Sequence, residues 1–277
     1  SRTAGSAIVL AASRGSGLDA FTEDKPKVML PVAGKPLLRW LVDAFKNQSV
    51  NDITVVGGYR ADAIDTAGVK LVRNERYGET NELASLACAV GTLKNDTVIS
   101  YGDLLFRSYI LRDLVESEAD FSVVIDSSPA SESSSTRDFA WCSSGDDRGL
   151  FGNKVLLSRI ASEPAANGAA PHGRWIGLMN VRGAGREKLA KKLAQLQAHA
   201  DFDTLDMPAL LNALIADGEK VEVQYVRGHW RGVNDLEDFR RAGEFASGVD
   251  TSGVDTSGVA TPGVATPAQA KASEGKA

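Results

Sequence analysis

Cysteine is scarce in this chain of 277 residues, which contains only Cys88 and Cys142. Two cysteines so far apart do not have the spacing of metal ligands, and they are typical of free thiols in a reducing compartment. Apolar runs long enough to cross a bilayer and the pattern of a signal peptide are also missing. We therefore expect a cytoplasmic protein without a disulfide scaffold and without a membrane partner.

An excess of basic residues is absent as well, because 31 lysines and arginines stand against 36 aspartates and glutamates. The formal net charge of −5 lacks the basic surplus that is typical of nucleic-acid-binding domains. We therefore expect no nucleic-acid partner. The length suits one large α/β domain or two small ones.

Bulky apolar and aromatic side chains are missing near the C-terminus. From Gly248 a five-residue pattern repeats, first as Gly-Val-Asp-Thr-Ser and then as Gly-Val-Ala-Thr-Pro. Such a segment has too little to bury to offset the entropy of ordering it. We predict that residues 247–277 form a disordered low-complexity tail, that residues 1–6 are a linker or cloning remnant, and that residues 7–246 form the folded domain.

Strand and helix patterns alternate along residues 7–246. This alternation is typical of an α/β fold with a mixed, mainly parallel central sheet and helices on both faces. The predicted strands are 7–12, 52–56, 69–72, 96–100, 121–126, 139–142, 175–181 and 221–226, and the predicted helices are 36–47, 81–93, 111–117, 185–198, 208–217 and 236–245.

A loop of small residues follows the first predicted strand. Small side chains leave backbone N–H groups open to the phosphates of a nucleotide, and Lys27 adds a positive charge for the same phosphates. A flexible turn without a ligand is the alternative, because short glycine motifs match by chance. The end of the strand and the loop consist of Leu10, Ala11, Ala12, Ser13, Arg14, Gly15, Ser16 and Gly17.

A carboxylate follows the predicted strand 96–100 at Gly102-Asp103. In open α/β sheets the carboxyl ends of the strands carry the ligands, and Mg²⁺ binds carboxylate and phosphate oxygens together. Asp103 is therefore a candidate metal ligand, although a solvated turn would explain it too.

The order of these segments resembles the nucleotidyltransferase superfamily that makes NDP-sugars and CDP-alcohols. The resemblance implies a Rossmann-like nucleotidyltransferase fold. Ser13 and Gly17 stand where the family usually has a glycine and an arginine, and Arg14 is the candidate to supply the missing charge. The segments in register with the family are 10–12, 15–16, Thr22, 26–27 and 31–36.

The resemblance also implies the catalytic and metal-binding residues. Lys27 and Arg14 are the implied catalytic residues, with Arg14 on the leaving pyrophosphate and Lys27 on the α-phosphoryl group. Asp103 and Asn234 match the two Mg²⁺-binding positions, and Asp235 is the neighbouring alternative. Helix capping alone would explain Asp235, because aspartate is an ordinary N-cap residue.

The start of the predicted helix 81–93 bears on the choice of nucleotide. Asn81 and Ser85 match a run of the phosphocholine and phosphonate cytidylyltransferases in which the corresponding residues lie near the cytidine. The match favours CTP, and Gly102 is a further implied nucleotide-binding residue. A capping pair without a ligand is the alternative explanation of the helix start.

In particular, the sequence resembles the phosphonate cytidylyltransferases, including the nucleotidyltransferase domain that some bacteria carry fused to phosphoenolpyruvate mutase. The implied partners are CTP and a small phosphonate such as 2-aminoethylphosphonate, and the implied products are a CMP-phosphonate and pyrophosphate. A mutase domain in a longer chain and a homo-oligomer stay open. The resemblance is carried by segments 8–15, 57–59, 74–77, 99–106, 172–177 and 228–239.

Aromatic and basic residues are candidates for the acceptor site. An aromatic face can hold an ammonium group, and a guanidinium group can pair with phosphonate oxygens. Core packing is the simpler explanation of each tryptophan, and a surface position is the simpler explanation of each arginine. The candidates are Trp141, Trp175, Arg137, Arg174 and Arg231. Asp138, Asp146 and Asp147 are candidates to pair with a substrate amine, and a solvated loop is their simpler explanation.

The sequence is also compatible with other functions. A sugar-1-phosphate or phosphocholine nucleotidyltransferase is the nearest, and the missing arginine at Gly17 argues against a sugar enzyme that uses UTP or dTTP. A glycosyltransferase usually has Asp-x-Asp after the metal strand, where this chain has Asp103-Leu104-Leu105. A non-catalytic nucleotide-binding or assembly domain is disfavoured because Lys27 and Asp103 are both present.

Overall fold

The computed structural model describes residues 5–129, 137–147, 154–164 and 168–248. Residues 1–4 of the expected lead-in and residues 249–277 of the expected tail lie outside the described residues. In the described ranges, none of the helices combines the length and the apolar character needed to cross a bilayer.

Strands and helices alternate through most of the described chain. The strands are β1 (Gly5–Ala11), β2 (Pro31–Val32), β3 (Lys35–Pro36), β4 (Val50–Gly57), β5 (Lys70–Arg73), β6 (Asp96–Tyr101), β7 (Leu104–Phe106), β8 (Phe121–Asp126), β9 (Phe139–Cys142), β10 (Leu157–Ala161), β11 (Gly173–Arg182), β12 (Val221–Val226) and β13 (Trp230–Gly232). The helices are α1 (Leu37–Asn47), α2 (Glu82–Cys88), α3 (Ser108–Glu116), α4 (Gly185–Gln197), α5 (Met207–Ala216) and α6 (Leu236–Ala246).

A mixed sheet of nine strands lies at the centre of the described residues. Its main path runs β10-β9-β11-β6-β1-β4-β5, and β12 joins through β8, which pairs with β11. The pairs of β1 with β4 and β6, of β4 with β5, and of β8 with β12 are parallel, whereas β11 is antiparallel to its neighbours. Since Leu10 pairs with Tyr101, the loops that follow β1 and β6 leave the sheet at the same edge.

The first strand shows why the sheet is covered on both faces. Successive side chains of a strand point to opposite faces, and all those from Ala7 to Ala11 are apolar. Ile8 and Leu10 pack in the core beneath α2, α4 and α5, whereas Ala7, Val9 and Ala11 pack in the core beneath α1 and α3. The predicted fold, a mixed and mainly parallel sheet between two layers of helices, is confirmed.

A small third core positions the C-terminal part of the site. Val32, Leu105, Val233 and Phe245 bury their side chains together, and Gly232 of β13 pairs with Leu104 of β7. This core holds β13 and α6 against the segment that follows β6.

The structure differs from the sequence-based prediction in the short elements. Strands β2, β3, β7, β10 and β13 were not predicted, and the second helix ends at Cys88, with a 3₁₀ turn over Val90–Thr92 in place of its last part. Strands β7 and β13 have three residues each, too few for an apolar alternation to stand out.

Candidate active site

A cleft of about 510 Å³ opens at the carboxyl ends of β1 and β6. It brings together most of the predicted site residues, from both ends of the chain. The predicted residues that line it are Leu10, Ala11, Ala12, Ser13, Gly15, Ser16, Lys27, Asn81, Ser85, Asp103, Arg137, Trp175 and Asn234. The cleft is also lined by Tyr77, Thr80, Glu82, Tyr101 and Asp138, of which Glu82 was not predicted as a site residue.

The loop after β1 turns sharply at its glycines. Gly15 and Gly17 have φ angles of +82° and +76°, a region that side chains with a Cβ rarely adopt. The Gly15 N–H donates to Ser13 Oγ at 3.0 Å, so the serine in place of the usual glycine braces the turn. Gly15 lines the cleft, but in the described chain Gly17 does not.

Arg14 does not reach the cleft in the described part of the chain. Its guanidinium group donates to Thr22 Oγ1 and to the Asp19 carbonyl, both at 3.1 Å, and lies 4.8 Å from the centre of the Tyr59 ring. The structure therefore gives Arg14 a part in shaping the loop and does not bring it to the catalytic position that the resemblance implies.

Lys27 lies between the two implied metal ligands. Its Nζ donates to Asp103 Oδ2 at 2.7 Å and to Asn234 Oδ1 at 3.4 Å, and the residue is only 8% exposed. The lysine begins a 3₁₀ turn directly after Pro26, whose extended backbone ends the preceding loop. One ammonium group thus faces two oxygens that come from distant parts of the sequence.

Backbone contacts explain how those oxygens meet. Gly102 donates its N–H to the Leu10 carbonyl at 2.9 Å, and a Cβ at position 102 would lie 3.0 Å from that oxygen. Gly102 itself does not line the cleft in the described residues, but it lets the end of β6 approach β1. The Val233 N–H donates to the Asp103 carbonyl at 2.9 Å, which fixes the turn containing Asn234 beside Asp103.

Asp235 is turned towards helix α6. Its Oδ1 accepts from the Asp238 N–H at 2.8 Å, and Asp238 Oδ2 accepts from the N–H groups of Asn234 and Asp235, which completes a capping box. Of the two alternatives for the second metal ligand, Asn234 lines the cleft, whereas Asp235 does not line it in the described chain.

The donor set suits a metal ion that shares its coordination with a ligand. Asp103 and Asn234 offer one carboxylate and one amide oxygen, which already face the positive charge of Lys27. In the described ranges, no group of three or more His, Cys, Asp or Glu side chains forms a complete metal cage. Magnesium binds through one or two carboxylates together with substrate phosphates and water, so these residues fit it.

The start of α2 lines another wall of the cleft. Asn81 caps the helix, because its side chain accepts from the Glu82 N–H at 2.8 Å. Ser85 is buried, and its Oγ accepts from Asn74 Nδ2 at 3.0 Å, while the same Nδ2 group donates to Thr80 Oγ1 at 3.0 Å. This network fixes two hydroxyl groups, those of Thr80 and Ser85, at the cleft wall.

Acidic and aromatic side chains meet at the same wall. Tyr101 donates its hydroxyl to Glu82 Oε1 at 2.8 Å, and its ring centre lies 5.2 Å from that of Trp175. Burial raises the pKa of Glu82 to about 7, against the hydrogen bond from Tyr101, and the charges of Asp206 and Asp138 add to the rise. Burial, with the charge of Asp206, raises the pKa of Asp138 to about 6.

Trp141 and Arg174 do not line the cleft in the described chain. Trp141 Nε1 donates to the Ala169 carbonyl at 2.7 Å. Arg174 is 6% exposed and lies 3.5 Å from Asp126 Oδ2, and burial lowers its pKa against the opposing charge of Asp126. Both side chains are buried and make polar contacts inside the domain.

The other two candidate arginines differ in their access to the cleft. Arg137 lines the cleft and is exposed, so it is available to an anionic ligand. Arg231 donates to the Trp230 carbonyl at 3.3 Å, lies 5.7 Å from the centre of the Phe245 ring, and does not line the cleft in the described chain.

The sequence of the chain is similar to those of known nucleotidyltransferases. The family model of the MobA-like NTP transferase domain matches residues 7–200. A choline-phosphate cytidylyltransferase of Streptococcus pneumoniae is 35% identical over 115 residues, which is 40% of this chain and 50% of that relative. A CMP-5'-(3-aminopropyl)phosphonate synthase of Streptomyces rubellomurinus is 32% identical over 116 residues, which is 39% of this chain and 18% of that relative.

Solved structures share the fold over a longer range. A CTP:phosphocholine cytidylyltransferase from Streptococcus pneumoniae superposes with a TM-score of 0.68 at 21% identity, covering 88% of this chain and all of the other. The sequence matches are shorter, since the aligned segment spans half the length of the first of these curated relatives and less of the second. The structural likeness thus establishes the nucleotidyltransferase fold for the whole described domain.

Proposed function

The chain belongs to the MobA-like NTP transferase family, and we propose that it is a CTP-dependent cytidylyltransferase whose acceptor is a small phosphonate such as 2-aminoethylphosphonate. One observation carries the proposal. Lys27 Nζ lies 2.7 Å from Asp103 Oδ2 and 3.4 Å from Asn234 Oδ1, beside a small-residue loop at the edge of the sheet. This arrangement suits the binding of a nucleoside triphosphate and the transfer of its nucleotidyl group.

In the proposed reaction, a phosphonate oxygen attacks the α-phosphorus of CTP. The new P–O bond forms as the bond between the α-phosphorus and the bridging oxygen breaks, and pyrophosphate leaves with the bonding electrons. A phosphonate is already anionic near neutral pH, so no side chain has to remove a proton. Catalysis then consists of positioning and of neutralising charge.

Lys27 is placed for the second task. Its ammonium group is nearly buried, so its interaction with a developing negative charge is weakly screened. The backbone of the loop from Ser13 to Ser16 would cradle the leaving pyrophosphate. Asp103 and Asn234 would hold Mg²⁺, which supplies further positive charge to the phosphate oxygens when it is bound.

The walls of the cleft support the assignment of the two substrates. Asn81 and Ser85 present polar groups for a base and a ribose, and both line the cleft. Arg137 is the exposed cation that suits the acceptor's phosphonate oxygens. The names of two relatives, a choline-phosphate cytidylyltransferase and an aminopropylphosphonate synthase, support CTP as the nucleotide.

A phosphocholine acceptor is the second candidate. It is favoured by the 35% identity to the choline-phosphate cytidylyltransferase, a higher identity than that to the phosphonate enzyme. The two acceptors differ in whether the attacking oxygen belongs to a phosphonate or a phosphate ester.

We also propose that the protein is fused to a phosphoenolpyruvate mutase domain in a longer chain and that it forms a homo-oligomer. Sequencing the complete reading frame would test the first, and sedimentation velocity of the purified protein would test the second.

Pyrophosphate release tests the proposed function. The protein is incubated with Mg²⁺ and each of CTP, UTP, dTTP and ATP, and each nucleotide is offered 2-aminoethylphosphonate, phosphocholine or a hexose 1-phosphate. We expect release with CTP and the phosphonate. Release with UTP or dTTP and the hexose phosphate would instead identify a sugar nucleotidyltransferase, and release with no combination would contradict an enzymatic role.

A further inference from the structure

We propose that two carboxylates of the cleft, Glu82 and Asp138, bind the primary ammonium group of the acceptor, and that Glu82 determines this specificity. The inference rests on the proposed function, because it concerns the acceptor of the same reaction. It goes further in assigning residues of the cleft to the ammonium group of that acceptor.

Glu82 has one occupied and one vacant carboxylate oxygen. Oε1 accepts from the Tyr101 hydroxyl at 2.8 Å and from the Met207 N–H at 3.5 Å. Oε2 is fully buried, and it has no hydrogen-bond partner among the described residues. A buried acceptor without a donor costs about 1–3 kcal/mol, so a ligand that brings an N–H group to this oxygen recovers that free energy.

The charges around Glu82 favour a cation. The charges of Asp138 and Asp206 help to raise its pKa, and among the described residues no basic side chain acts to lower the pKa of either Glu82 or Asp138. Asp206 is engaged as the N-cap of α5, where its Oδ1 accepts from the Ala209 N–H at 3.0 Å. Glu82 and Asp138 are the two carboxylates of this group that line the cleft.

The aromatic rings favour a primary over a quaternary ammonium group. A trimethylammonium group binds to open aromatic faces and has no N–H to donate. Trp175 is only 1% exposed, its ring is tilted at 58° to that of Tyr101, and its Nε1 donates to the Leu178 carbonyl. Little of the Trp175 face is therefore open beside Glu82, whereas the vacant Glu82 oxygen calls for an N–H donor.

Three acceptors and three proteins test the inference. The acceptors are 2-aminoethylphosphonate, propylphosphonate, in which a methyl group replaces the ammonium, and the N,N,N-trimethyl derivative of 2-aminoethylphosphonate. The proteins are the unmodified chain, Glu82→Gln, which keeps an acceptor for Tyr101, and the matched surface variant Glu116→Gln. Acceptor and CTP are varied separately, and pyrophosphate release gives kcat and KM for each.

We expect the unmodified protein and Glu116→Gln to prefer the primary amine over both other acceptors by about 10–100-fold in kcat/KM, the scale of a hydrogen bond to a charged group. Glu82→Gln should lose most of this preference through a higher KM for 2-aminoethylphosphonate. Its kcat/KM for propylphosphonate and its KM for CTP should stay within about twofold of the unmodified protein, since neither ligand uses the charge of Glu82.

Other results would overturn the inference while leaving the proposed function in place. These are equal use of 2-aminoethylphosphonate and propylphosphonate, a preference for the trimethyl derivative, or a raised KM for CTP in Glu82→Gln with every acceptor, which would assign the carboxylate to the ribose. Absence of turnover with all acceptors would contradict the proposed function itself. Calorimetric titration of 2-aminoethylphosphonate and propylphosphonate into the protein with CTP and Mg²⁺ would then still decide whether the ammonium group is bound. If Glu82→Gln does not fold, as judged by circular dichroism, Asp138→Asn takes its place.

Discussion

Replacing Lys27 with methionine removes the ammonium group between Asp103 and Asn234 while keeping an unbranched side chain of similar length. The lysine is 8% exposed, and its Nζ lies 2.7 Å from Asp103 Oδ2. Loss of one preorganised donor to a developing oxyanion typically lowers kcat by about 10²–10³-fold, or about 2.7–4 kcal/mol. We expect a loss of this size in kcat for pyrophosphate release from CTP.

The same substitution has a smaller effect on folding. The side chains of Lys27 and Asp103 are 11% and 22% exposed, so the ion pair lies between the surface and the fully buried cases. We expect a destabilisation of about 1–3 kcal/mol, which a cooperative thermal unfolding curve would reveal. The matched control is Lys70→Met, which removes the exposed ion pair with Asp52. If Lys27→Met folds and keeps a kcat within about threefold of the unmodified protein, the assigned role of Lys27 is refuted.

Three further predictions follow from single contacts. The pKa of Glu82 is raised from 4.5 to about 7 in the folded protein, so the folded state binds more protons between these values and the free energy of unfolding should fall as pH rises through that window. Glu82→Gln should reduce the difference in the free energy of unfolding between pH 5 and pH 8 by up to about 3 kcal/mol, as measured by urea titrations of the ligand-free protein. An unchanged pH dependence of the unfolding free energy would contradict the raised pKa of Glu82. Asn234→Ala should raise the Mg²⁺ concentration for half-maximal activity by about tenfold or more. Asp235→Asn keeps a good helix cap and should leave that concentration within about twofold. A larger effect of Asp235→Asn than of Asn234→Ala would make Asp235 the ligand. Gly58→Ala should destabilise by about 1–3 kcal/mol in thermal unfolding, because the added Cβ would lie 2.5 Å from Tyr77 Cβ, and an unchanged melting temperature would show that this contact relaxes.

Much of the fold could be predicted because the apolar patterns are regular. Continuous apolar runs such as Ala7–Ala11 identify strands that are covered on both faces, and the alternation with helices gives the layers. The approach of the loop after β1 to the segment that carries Asp103 also follows from the sequence, since neighbouring parallel strands end at the same edge of a sheet. The short pair β7 and β13 could not be predicted, because its partner lies more than 120 residues away and the packing of the third core determines it.

The details of the site depend on tertiary contacts that no local pattern reveals. Asn234 lines the cleft and Asp235 does not, because Asp235 forms a capping box with Asp238 at the start of α6. Glu82 was missed because a glutamate in the first turn of a helix is an ordinary residue there, favoured by the helix dipole. Its burial and its contact with Tyr101 arise only when α2 packs against β6.

The most direct test of the phosphonate cytidylyltransferase assignment is a ³¹P NMR spectrum of the protein with CTP, Mg²⁺ and 2-aminoethylphosphonate. The account predicts that the signals of CTP and the free phosphonate decline together, while a phosphonate–phosphate anhydride and pyrophosphate appear in equal amounts. Unchanged CTP, or its conversion to CMP and pyrophosphate with the phosphonate signal intact, would contradict it.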